Sequence, residues 1–324
     1  MAKALVTGAT GLLGNNIVRR LLEQGDDVRV LVRESSDPRP TEGLDVDKVI
    51  GDVTDRDSVF QAVAGMDAVY HSAAHIHLGW TRREEATNVN VNGSENVADA
   101  ALDAGAKLVH VSTIDTLAPG QPDAPADEDS QGEKIPITYV VTKRQAEQVV
   151  RERIAKGLSA VIVHPGFMLG PWDWKPSSGR MLLEVLRRFT PAAPTGGMSL
   201  CDVRDVADGA ILAAEKGSSG RNYILAGTSL SYLDAWKMFV EVTEEGKPPK
   251  FRLGPIARVI GAWGGDLFAK ITGKESEVNS GAIKMSCLFN YYSSARAEEE
   301  LGYSCRPPEE SIRDAWEWFK EYGY

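Results

Sequence analysis

The sequence predicts an α/β fold with a doubly wound parallel sheet, followed by a smaller α+β lobe. Three observations lead to this prediction. Short apolar runs alternate with amphipathic segments in the first half of the 324-residue chain, three glycines separate the first run from the first amphipathic segment, and Pro, Gly and Trp become frequent after Gly166. Alternation of strands and helices is typical of a parallel sheet covered by helices on both faces.

The spacing of apolar residues, and the glycines that end helices, predict the individual strands and helices. Strands are predicted at residues 4–6, 27–32, 48–50, 68–74, 108–112 and 160–163. Helices are predicted at 12–24, 57–64, 84–104 and 138–156, and 115–133 is a loop rich in Pro, Asp and Gly. We expect residues 1–165 to form one domain and 166–324 to form mainly a substrate-binding lobe, with 199–227 returning to the first domain.

Composition narrows the class of protein. The net charge of −10 argues against a nucleic-acid partner, and no apolar run approaches the length of a membrane span. The three cysteines, Cys201, Cys287 and Cys305, have no metal-like spacing and suit free thiols in a reducing compartment. The first strand begins at once, which leaves no room for a signal peptide. We therefore expect a cytoplasmic enzyme with a small-molecule substrate.

Gly8, Gly11 and Gly14 form the turn between the first strand and the first helix. In this pattern the first glycine permits the tight turn, the second lets the backbone approach a pyrophosphate, and the third lets helix and strand pack closely. The N-terminus of the helix then offers unpaired N–H groups to the phosphates. Residues 1–165 are therefore predicted to be a Rossmann-type NAD(P)-binding domain.

The end of the second strand indicates which nicotinamide cofactor is bound. A carboxylate there suits the ribose 2′-hydroxyl of NAD, whereas an arginine suits the 2′-phosphate of NADP. Here Arg33 follows the strand directly, and Glu34 and Asp37 are the acids that would favour NAD. The pattern favours NADP (NADPH), with NAD as the alternative.

Tyr139 and Lys143 carry the catalytic signal. Residues four apart on a helix share a face, so the phenol and the ammonium point into the same space. The neighbouring ammonium favours the phenolate, so we expect it to lower the pKa of Tyr139. The predicted strand that ends at Ser112 and Thr113 supplies hydroxyl groups to the same region.

With these motifs in place, the chain is identified by resemblance as an extended short-chain dehydrogenase/reductase of the NAD-dependent epimerase/dehydratase superfamily. The glycine turn, the Tyr-x-x-x-Lys helix and the hydroxyl-bearing strand match the cofactor and catalytic set of that superfamily. Further segments that resemble its motifs are 90–96, 164–167, 203–207 and 300–303. Segments 170–176 and 178–181 resemble its dihydroflavonol-reductase-like branch. His164 stands where arginine is common.

The resemblance implies a catalytic set of Thr113, Tyr139 and Lys143, with Ser112 as the alternative to Thr113. Tyr139 would exchange a proton with a substrate oxygen while hydride moves between cofactor and carbon. It also implies cofactor contacts at Gly8, Thr10, Gly11, Leu12, Leu13, Gly14, Arg33, Asp52, Val53, Ser72, Ala73, Ala74, Val111, Ser112, Tyr139, Lys143, His164, Pro165, Gly166 and Phe167. Substrate contacts are expected at His75, Trp80, Thr113, Phe167, Met168, Trp172 and Trp174. A homodimer, paired through the helices at 85–104 and 138–156, is implied as well.

The choice between a reductase and a nucleotide-sugar enzyme depends on Met198. Family members that act on nucleotide sugars resemble one another in placing an arginine seven residues before the aspartate that is Asp205 here, and Met198 occupies that position. The chain is therefore predicted to reduce a ketone or aldehyde of a largely apolar substrate. A sugar or nucleotide-sugar epimerase/dehydratase, with arginines 180, 187 or 188 as substitutes, is one alternative. A non-catalytic NADP-binding sensor is another.

Two remaining patterns receive structural interpretations. His75 and His77 alternate like metal ligands, but no third ligand lies near them in the sequence, so no metal is expected. Residues 253–271 are amphipathic and are predicted to be a helix of the second lobe. A membrane-surface role is the alternative, which is disfavoured because Arg258 and Lys270 are few cations for it.

Overall fold

A computed structural model describes residues 1–130, 135–254, 275 and 279–324. Its strands are β1 (Lys3–Thr7), β2 (Asp27–Val32), β3 (Asp47–Ile50), β4 (Ala68–His71), β5 (Lys107–Val111), β6 (Ala160–Pro165), β7 (Phe167–Leu169), β8 (Ala192–Ala193), β9 (Gly197–Asp202), β10 (Asn222–Leu225), β11 (Thr228–Ser231), β12 (Phe251–Arg252) and β13 (Phe289–Asn290). Its α-helices are α1 (Leu12–Glu23), α2 (Arg56–Val63), α3 (Arg83–Thr87), α4 (Gly93–Ala104), α5 (Thr138–Ile154), α6 (Ser178–Arg187), α7 (Val203–Lys216), α8 (Tyr232–Thr243), α9 (Ser280–Met285), α10 (Ala295–Leu301) and α11 (Pro308–Glu321).

The central sheet contains seven parallel strands in the order β10-β6-β5-β4-β1-β2-β3. The strand order reverses between β1 and β4, and such a switch point opens a crevice at the carboxyl ends of the two strands. The predicted fold class, a doubly wound Rossmann-type sheet, is confirmed. The crevice lies where the glycine turn follows β1.

Both faces of the sheet are covered by helices. Successive strand residues point to opposite faces, so Ala4 and Val6 pack into one buried cluster with residues of α1 and α7. Leu5, between them, packs into another with residues of α2, α4 and α5. Burial on both faces explains why these strands are continuous apolar runs.

A second apolar core lies among the elements after β6. A four-stranded sheet has β9 at its centre, paired with β7, β11 and β13. Buried residues of α6, α8 and α11 pack together in this core with β7 and β9. β10, however, leaves this region and pairs with β6 in the large sheet.

Most predicted elements occur within a few residues of their expected ends, with three differences. The single helix expected at 84–104 is α3, a π-helical turn at Asn88–Asn92 and then α4. β4 ends at His71 rather than at residue 74, and the loop expected at 115–133 begins with a 3-10 turn, Ile114–Thr116. Apart from Leu253 and Gly254, the predicted helix at 253–271 lies outside the described residues.

Candidate active site

The glycine turn is built so that side chains cannot replace two of its glycines. Gly8 has φ +73°, and a Cβ there would lie 2.7 Å from the backbone nitrogen of Ala73. A Cβ at Gly14 would lie 2.2 Å from the carbonyl oxygen of Gly8. A Cβ at Gly11 would lie 3.4 Å from the Gly8 carbonyl oxygen, which is an ordinary contact, so the backbone at Gly11 is open to a ligand. Helix α1 begins here with no side-chain cap and no acid in its first turn, which fits an anionic pyrophosphate.

The end of β4 forms the other wall of the crevice. The Thr7 hydroxyl accepts a hydrogen bond from the Ala73 N–H at 3.3 Å and contacts Nδ1 of His71 at 2.8 Å. These contacts hold Ser72, Ala73 and Ala74 beside Gly8. The expected contacts Thr10, Leu12 and Leu13 lie in the turn and the first residues of α1.

The expected contacts Asp52 and Val53 lie just beyond β3. One Asp52 oxygen accepts from the N–H of Thr54 at 2.9 Å, and the Val53 carbonyl accepts from Asn96 at 2.9 Å. Asn96 belongs to one of the segments that resemble family motifs. Its contact ties α4 to the edge of the crevice.

Arg33 is exposed directly after β2, where the ribose 2′ position of a cofactor is expected. Of the two acids that would favour NAD, Asp37 is paired with Arg39, whose Nη2 lies 2.6 Å from a carboxylate oxygen. That hydrogen bond lowers the pKa of the Asp37 carboxyl. Glu34 is exposed.

Thr113, Tyr139 and Lys143 come together at the carboxyl end of β5. The Thr113 side chain acts on the Tyr139 phenol closely enough to lower its pKa. Lys143 is 3% exposed, and its Nζ donates to the carbonyl oxygen of Val111 at 2.6 Å. Burial lowers the pKa of Lys143 to about 8, and Glu147 opposes this effect.

The expected direction of the Tyr139 pKa was wrong for the protein without cofactor. Burial raises it first and the carboxyl of Asp115 raises it further, while the hydrogen bond with Thr113 lowers it. The Lys143 ammonium does not lower it because its Nζ is directed at the Val111 carbonyl. A group that redirects this ammonium would favour the phenolate.

Ser112 and Thr113 are held differently. The Ser112 hydroxyl donates to the carboxylate of Glu147, four residues after Lys143. The Thr113 hydroxyl faces Tyr139 instead, and Thr113 also accepts at its carbonyl oxygen from Nδ1 of buried His164 at 3.1 Å. The geometry thus brings Thr113, rather than Ser112, to the tyrosine.

Sequence reasoning missed Asp115, which it placed at the start of a loop. Thr113 Oγ1 donates to Asp115 Oδ2 at 3.1 Å, and the Asp115 N–H donates back to Thr113 Oγ1 at 3.3 Å. Burial raises the pKa of this carboxyl. The sequence signal for Asp115 was a carboxylate two residues after Thr113, the hydroxyl expected to be catalytic.

A narrow cavity adjoins this group, between the segment after β5 and residues 285–292. Asp115, Asn290 and Tyr292 contribute its polar groups, and its apolar lining includes Ile135, Met285 and Leu288. A separate open groove runs along α6, where it is lined by Lys175, Arg180, Arg187 and Arg188 among others.

The expected substrate contacts fall into separate places. His75 is fixed by buried Asn90, which accepts from its N–H at 2.7 Å and donates to its carbonyl at 3.0 Å. Trp80 is 37% exposed, and its indole N–H donates to Ser280 at 3.0 Å. Pro165, Gly166, Phe167 and Met168 continue from β6 into β7, and Phe167 and Met168 pack on different apolar clusters.

Trp172 and Trp174 lie in an aromatic cluster with Trp318 and Tyr322 of the C-terminal region. The guanidinium carbon of Arg19 lies 3.3 Å from the centre of the Trp172 ring. These ring contacts run to the C-terminal residues and to α1 rather than to Tyr139.

The described part of the chain contains neither a metal site nor a membrane-spanning helix. Within the described ranges, no group of three His, Cys, Asp or Glu side chains is arranged to hold a metal ion. His77 instead contacts Glu275, with 2.8 Å between Nε2 and a carboxylate oxygen. No α-helix in the described part of the chain has both the length and the apolar character needed to cross a membrane.

The amino-acid sequence of this chain matches one known protein family. The NAD dependent epimerase/dehydratase family matches residues 4–226. A putative dihydroflavonol 4-reductase of Synechocystis sp. is 36% identical, over 98% of this chain and 95% of its own length. Sterol demethylase protein B of Methylococcus capsulatus is 31% identical, over 98% of each chain.

Solved structures agree with the sequence comparison. The crystal structure of gox2253 is 34% identical and superposes with a TM-score of 0.87, over 100% of this chain and 99% of that one. A nucleoside-diphosphate-sugar epimerase from Pseudomonas aeruginosa shares the fold with a TM-score of 0.80 at 23% identity, over 100% of this chain and 99% of that one. The chain therefore belongs to the NAD dependent epimerase/dehydratase family, among the extended short-chain dehydrogenases/reductases, and is an NAD(P)-dependent oxidoreductase.

Proposed function

We propose that the protein is an NADP-dependent carbonyl reductase, which reduces a ketone or aldehyde of a small, largely apolar substrate. The observation that carries this proposal is the convergence of Thr113, Tyr139 and Lys143 at the carboxyl end of β5, where the Thr113 side chain lowers the Tyr139 pKa and the Lys143 Nζ reaches the Val111 carbonyl. A phenol and a second hydroxyl that point to one place can both contact a single carbonyl oxygen.

The chain's residues then have distinct roles. NADPH, when bound, supplies the hydride. Tyr139 donates its phenolic proton to the carbonyl oxygen, and Thr113 holds the same oxygen by a hydrogen bond. Lys143 would hold the nicotinamide ribose with the ammonium that now donates to the Val111 carbonyl, and its charge would favour the Tyr139 phenolate. The reverse sequence oxidises the alcohol.

The glycine turn and the crevice support a dinucleotide at this site. Gly8, Gly11 and Gly14 leave room for the pyrophosphate, Ser72–Ala74 line the opposite wall, and His164–Phe167 lie at the end of β6. In this proposal the cofactor contacts are those expected from the sequence, with Val111 acting through its carbonyl oxygen.

NADP preference rests on Arg33. It is exposed beyond β2, and Arg39 neutralises the nearby Asp37. Arg33→Ala should weaken NADPH binding by about tenfold, since one charge-assisted contact is worth roughly 1–2 kcal/mol. NADH binding should stay unchanged. Equal losses for both cofactors, measured by fluorescence titration, would place Arg33 away from the 2′-phosphate.

The apolar substrate class rests on Met198 and on the relatives. Met198 is 2% exposed on β9, where it cannot grip a diphosphate. Relatives with names from carbonyl chemistry include the putative dihydroflavonol 4-reductase, a ketoreductase of Stigmatella aurantiaca and cinnamoyl-CoA reductase 1 of Arabidopsis thaliana. His75, Trp80, Phe167 and Met168 remain proposed substrate contacts, whereas the rings of Trp172 and Trp174 pack against C-terminal residues and α1 and are not proposed as contacts.

A cytoplasmic homodimer completes the proposal. Helices α4 and α5 pack side by side, where Arg153 of α5 pairs with Glu95 and with Asp99 of α4. Their outer surfaces would form a four-helix contact with a second copy. Sedimentation equilibrium tests this: a monomer at micromolar concentration would contradict it.

The deciding experiment follows NADPH oxidation with a panel of ketones, aldehydes and nucleotide sugars, for the wild type and Tyr139→Phe. We expect a neutral carbonyl compound to be reduced, and Tyr139→Phe to lose about 10²-fold or more in kcat while still binding NADPH. Tyr223→Phe is the matched control, because its hydroxyl contacts Glu300 at the far edge of the sheet. Turnover of a nucleotide sugar without net cofactor oxidation would show an epimerase instead. Cofactor binding with no turnover of any panel compound would favour the sensor.

A further inference from the structure

Asp115 extends the Tyr139–Thr113 pair into a chain of three oxygen groups. The Thr113 side chain is near enough to the Tyr139 phenol to lower its pKa. Thr113 Oγ1 lies 3.1 Å from Asp115 Oδ2, and the Asp115 backbone N–H fixes Thr113 Oγ1 from the other side. The hydroxyl of Thr113 is thus held between a phenol and a carboxyl, each of which can give or take a proton.

The surroundings of Asp115 favour its neutral form. Burial raises its pKa, and only the hydrogen bond of Thr113 opposes this. The titratable groups that feel its charge are tyrosines on three elements: Tyr139 on α5, Tyr232 on α8 and Tyr292 after β13. In the described part of the chain, no cation is among the groups that shift the Asp115 carboxyl.

Asp115 and Tyr139 therefore behave as two acids in one site. The Asp115 charge raises the pKa of Tyr139, so ionisation of one group disfavours ionisation of the other. Pairs coupled in this way share protons and titrate together. When it is protonated, Asp115 places a second proton next to Thr113, close to the phenol that gives up its proton in the proposed reaction.

The cavity beside Asp115 offers room for about one water molecule next to this carboxyl. It is lined by Asp115 together with Asn290 and Tyr292. Among the described residues, hydrogen bonds to the carboxyl involve Oδ2 only, which leaves Oδ1 for a water or a substrate group in the cavity.

We propose that Asp115 is a positioning residue that orients the Thr113 hydroxyl and, through it, restores the proton that Tyr139 gives to the substrate. This inference rests on the proposed reductase function. In the step, the carboxylic proton of Asp115 moves to Thr113 Oγ1 while the original Thr113 proton moves to the Tyr139 phenolate. Tyr139 is again a phenol, Thr113 is unchanged, and Asp115 is a carboxylate that takes its next proton from water through the cavity. In alcohol oxidation the same protons move in reverse.

The test compares Asp115→Asn with the wild type over a range of pH. Asparagine keeps the shape and can still accept from Thr113, but it cannot deliver a proton. We expect its kcat for reduction to fall by about tenfold or more, toward the range that acid–base groups contribute. The wild-type decrease in kcat with rising pH, where Asp115 loses its proton, should be absent from the variant.

Asp123→Asn is the matched control, because it makes the same change at an exposed position of the same segment. It should keep the wild-type pH profile. Asp115→Ala is measured as well, so that a folding failure of one variant, detected by its melting curve, does not decide the outcome. An Asp115→Asn profile that superposes on that of Asp123→Asn would overturn the proposal, as would lower activity with the pH dependence retained.

A second readout does not need activity. The ultraviolet absorbance of tyrosinate is titrated in each protein, and the Tyr139 contribution is obtained by subtracting the Tyr139→Phe background. Removal of the Asp115 charge should make Tyr139 ionise at lower pH. If no carbonyl compound is reduced by the wild type, the proposed function has failed, yet this titration still decides the coupling. An unchanged Tyr139 titration in both Asp115 variants contradicts the relay even in an active reductase.

Discussion

Asp173 offers the clearest quantitative test of the structure. It lies between β7 and α6 and is 1% exposed. Oδ2 accepts from the N–H of Gly179 at 3.2 Å, whereas Oδ1 is buried without a hydrogen-bond partner among the described residues. Burial raises its pKa from 3.8 to about 6, against the effect of its backbone hydrogen bonds. The folded state therefore binds this proton more tightly than the unfolded chain does.

The sign of the effect follows from proton linkage. A carboxyl with a raised pKa in the folded state costs stability as pH increases from 3.8 to about 6. The full cost is present at pH 7 and amounts to ~3 kcal/mol, at about 1.4 kcal/mol for each pH unit. Asparagine has no charge, so Asp173→Asn should raise the free energy of unfolding at pH 7 by roughly 1–3 kcal/mol.

Urea unfolding at pH 7 and pH 5 provides the measurement. The gain from Asp173→Asn should be about half as large at pH 5, because the folded carboxyl is then mostly protonated while the unfolded one is mostly ionised. The exposed Asp45 supplies a control, and Asp45→Asn should show no such difference. A destabilised Asp173→Asn variant at pH 7, or an equal gain at both pH values, would refute the reasoning.

Three other perturbations test separate parts of the molecule. Gly14→Ala should abolish most NADPH binding in a fluorescence titration, because its Cβ would lie 2.2 Å from the Gly8 oxygen; Gly254→Ala, with open space around its Cβ, should bind normally. Arg306→Ala should lower the unfolding free energy in urea by about 1–3 kcal/mol, since it removes the guanidinium from the buried carboxylate of Asp205 and leaves only the backbone N–H of residue 306 as its donor. Arg188, an exposed residue paired with Glu184, provides the control, and Arg188→Ala should cost no more than about 1 kcal/mol. NADPH affinity should fall as pH rises above about 8, where buried Lys143 loses its proton; a flat profile, or the same fall in Lys143→Met, would contradict that assignment.

The fold was predictable because it depends on local patterns. Neighbouring residues determine the glycine turn and the alternation of strands and helices. They also determine where helices end, as at Gly25 and Gly105, which both have positive φ. The π-helical turn at Asn88–Asn92 was not predictable, because one extra residue in a turn hardly changes the hydrophobic period. Buried Asn90, at its centre, bonds His75 and Thr142 across the site.

The candidate site was predictable only in its residue types. Tyr139, Lys143 and Thr113 follow from spacing and family resemblance, but the direction of a long side chain does not. The Lys143 ammonium points to the Val111 carbonyl, so the expected effect on Tyr139 was wrong. Asp115 was missed for a related reason: its importance comes from proximity to Tyr139, and sequence spacing does not show that proximity.

The position of β10 in the sheet has consequences for synthesis of the chain and for truncated fragments of it. β10 is translated after β7, β8 and β9, yet it covers the edge of β6, with hydrogen bonds that include Gly166 N–H to the Leu225 carbonyl at 3.0 Å. A nascent or truncated chain that ends near residue 165 would expose the bare edge of β6, and such edges recruit other strands. Synthesis on the ribosome must therefore pass residue 225 before the sheet can close. A fragment cut at the end of β6 should therefore aggregate, whereas a chain that includes β10 should not do so through this edge.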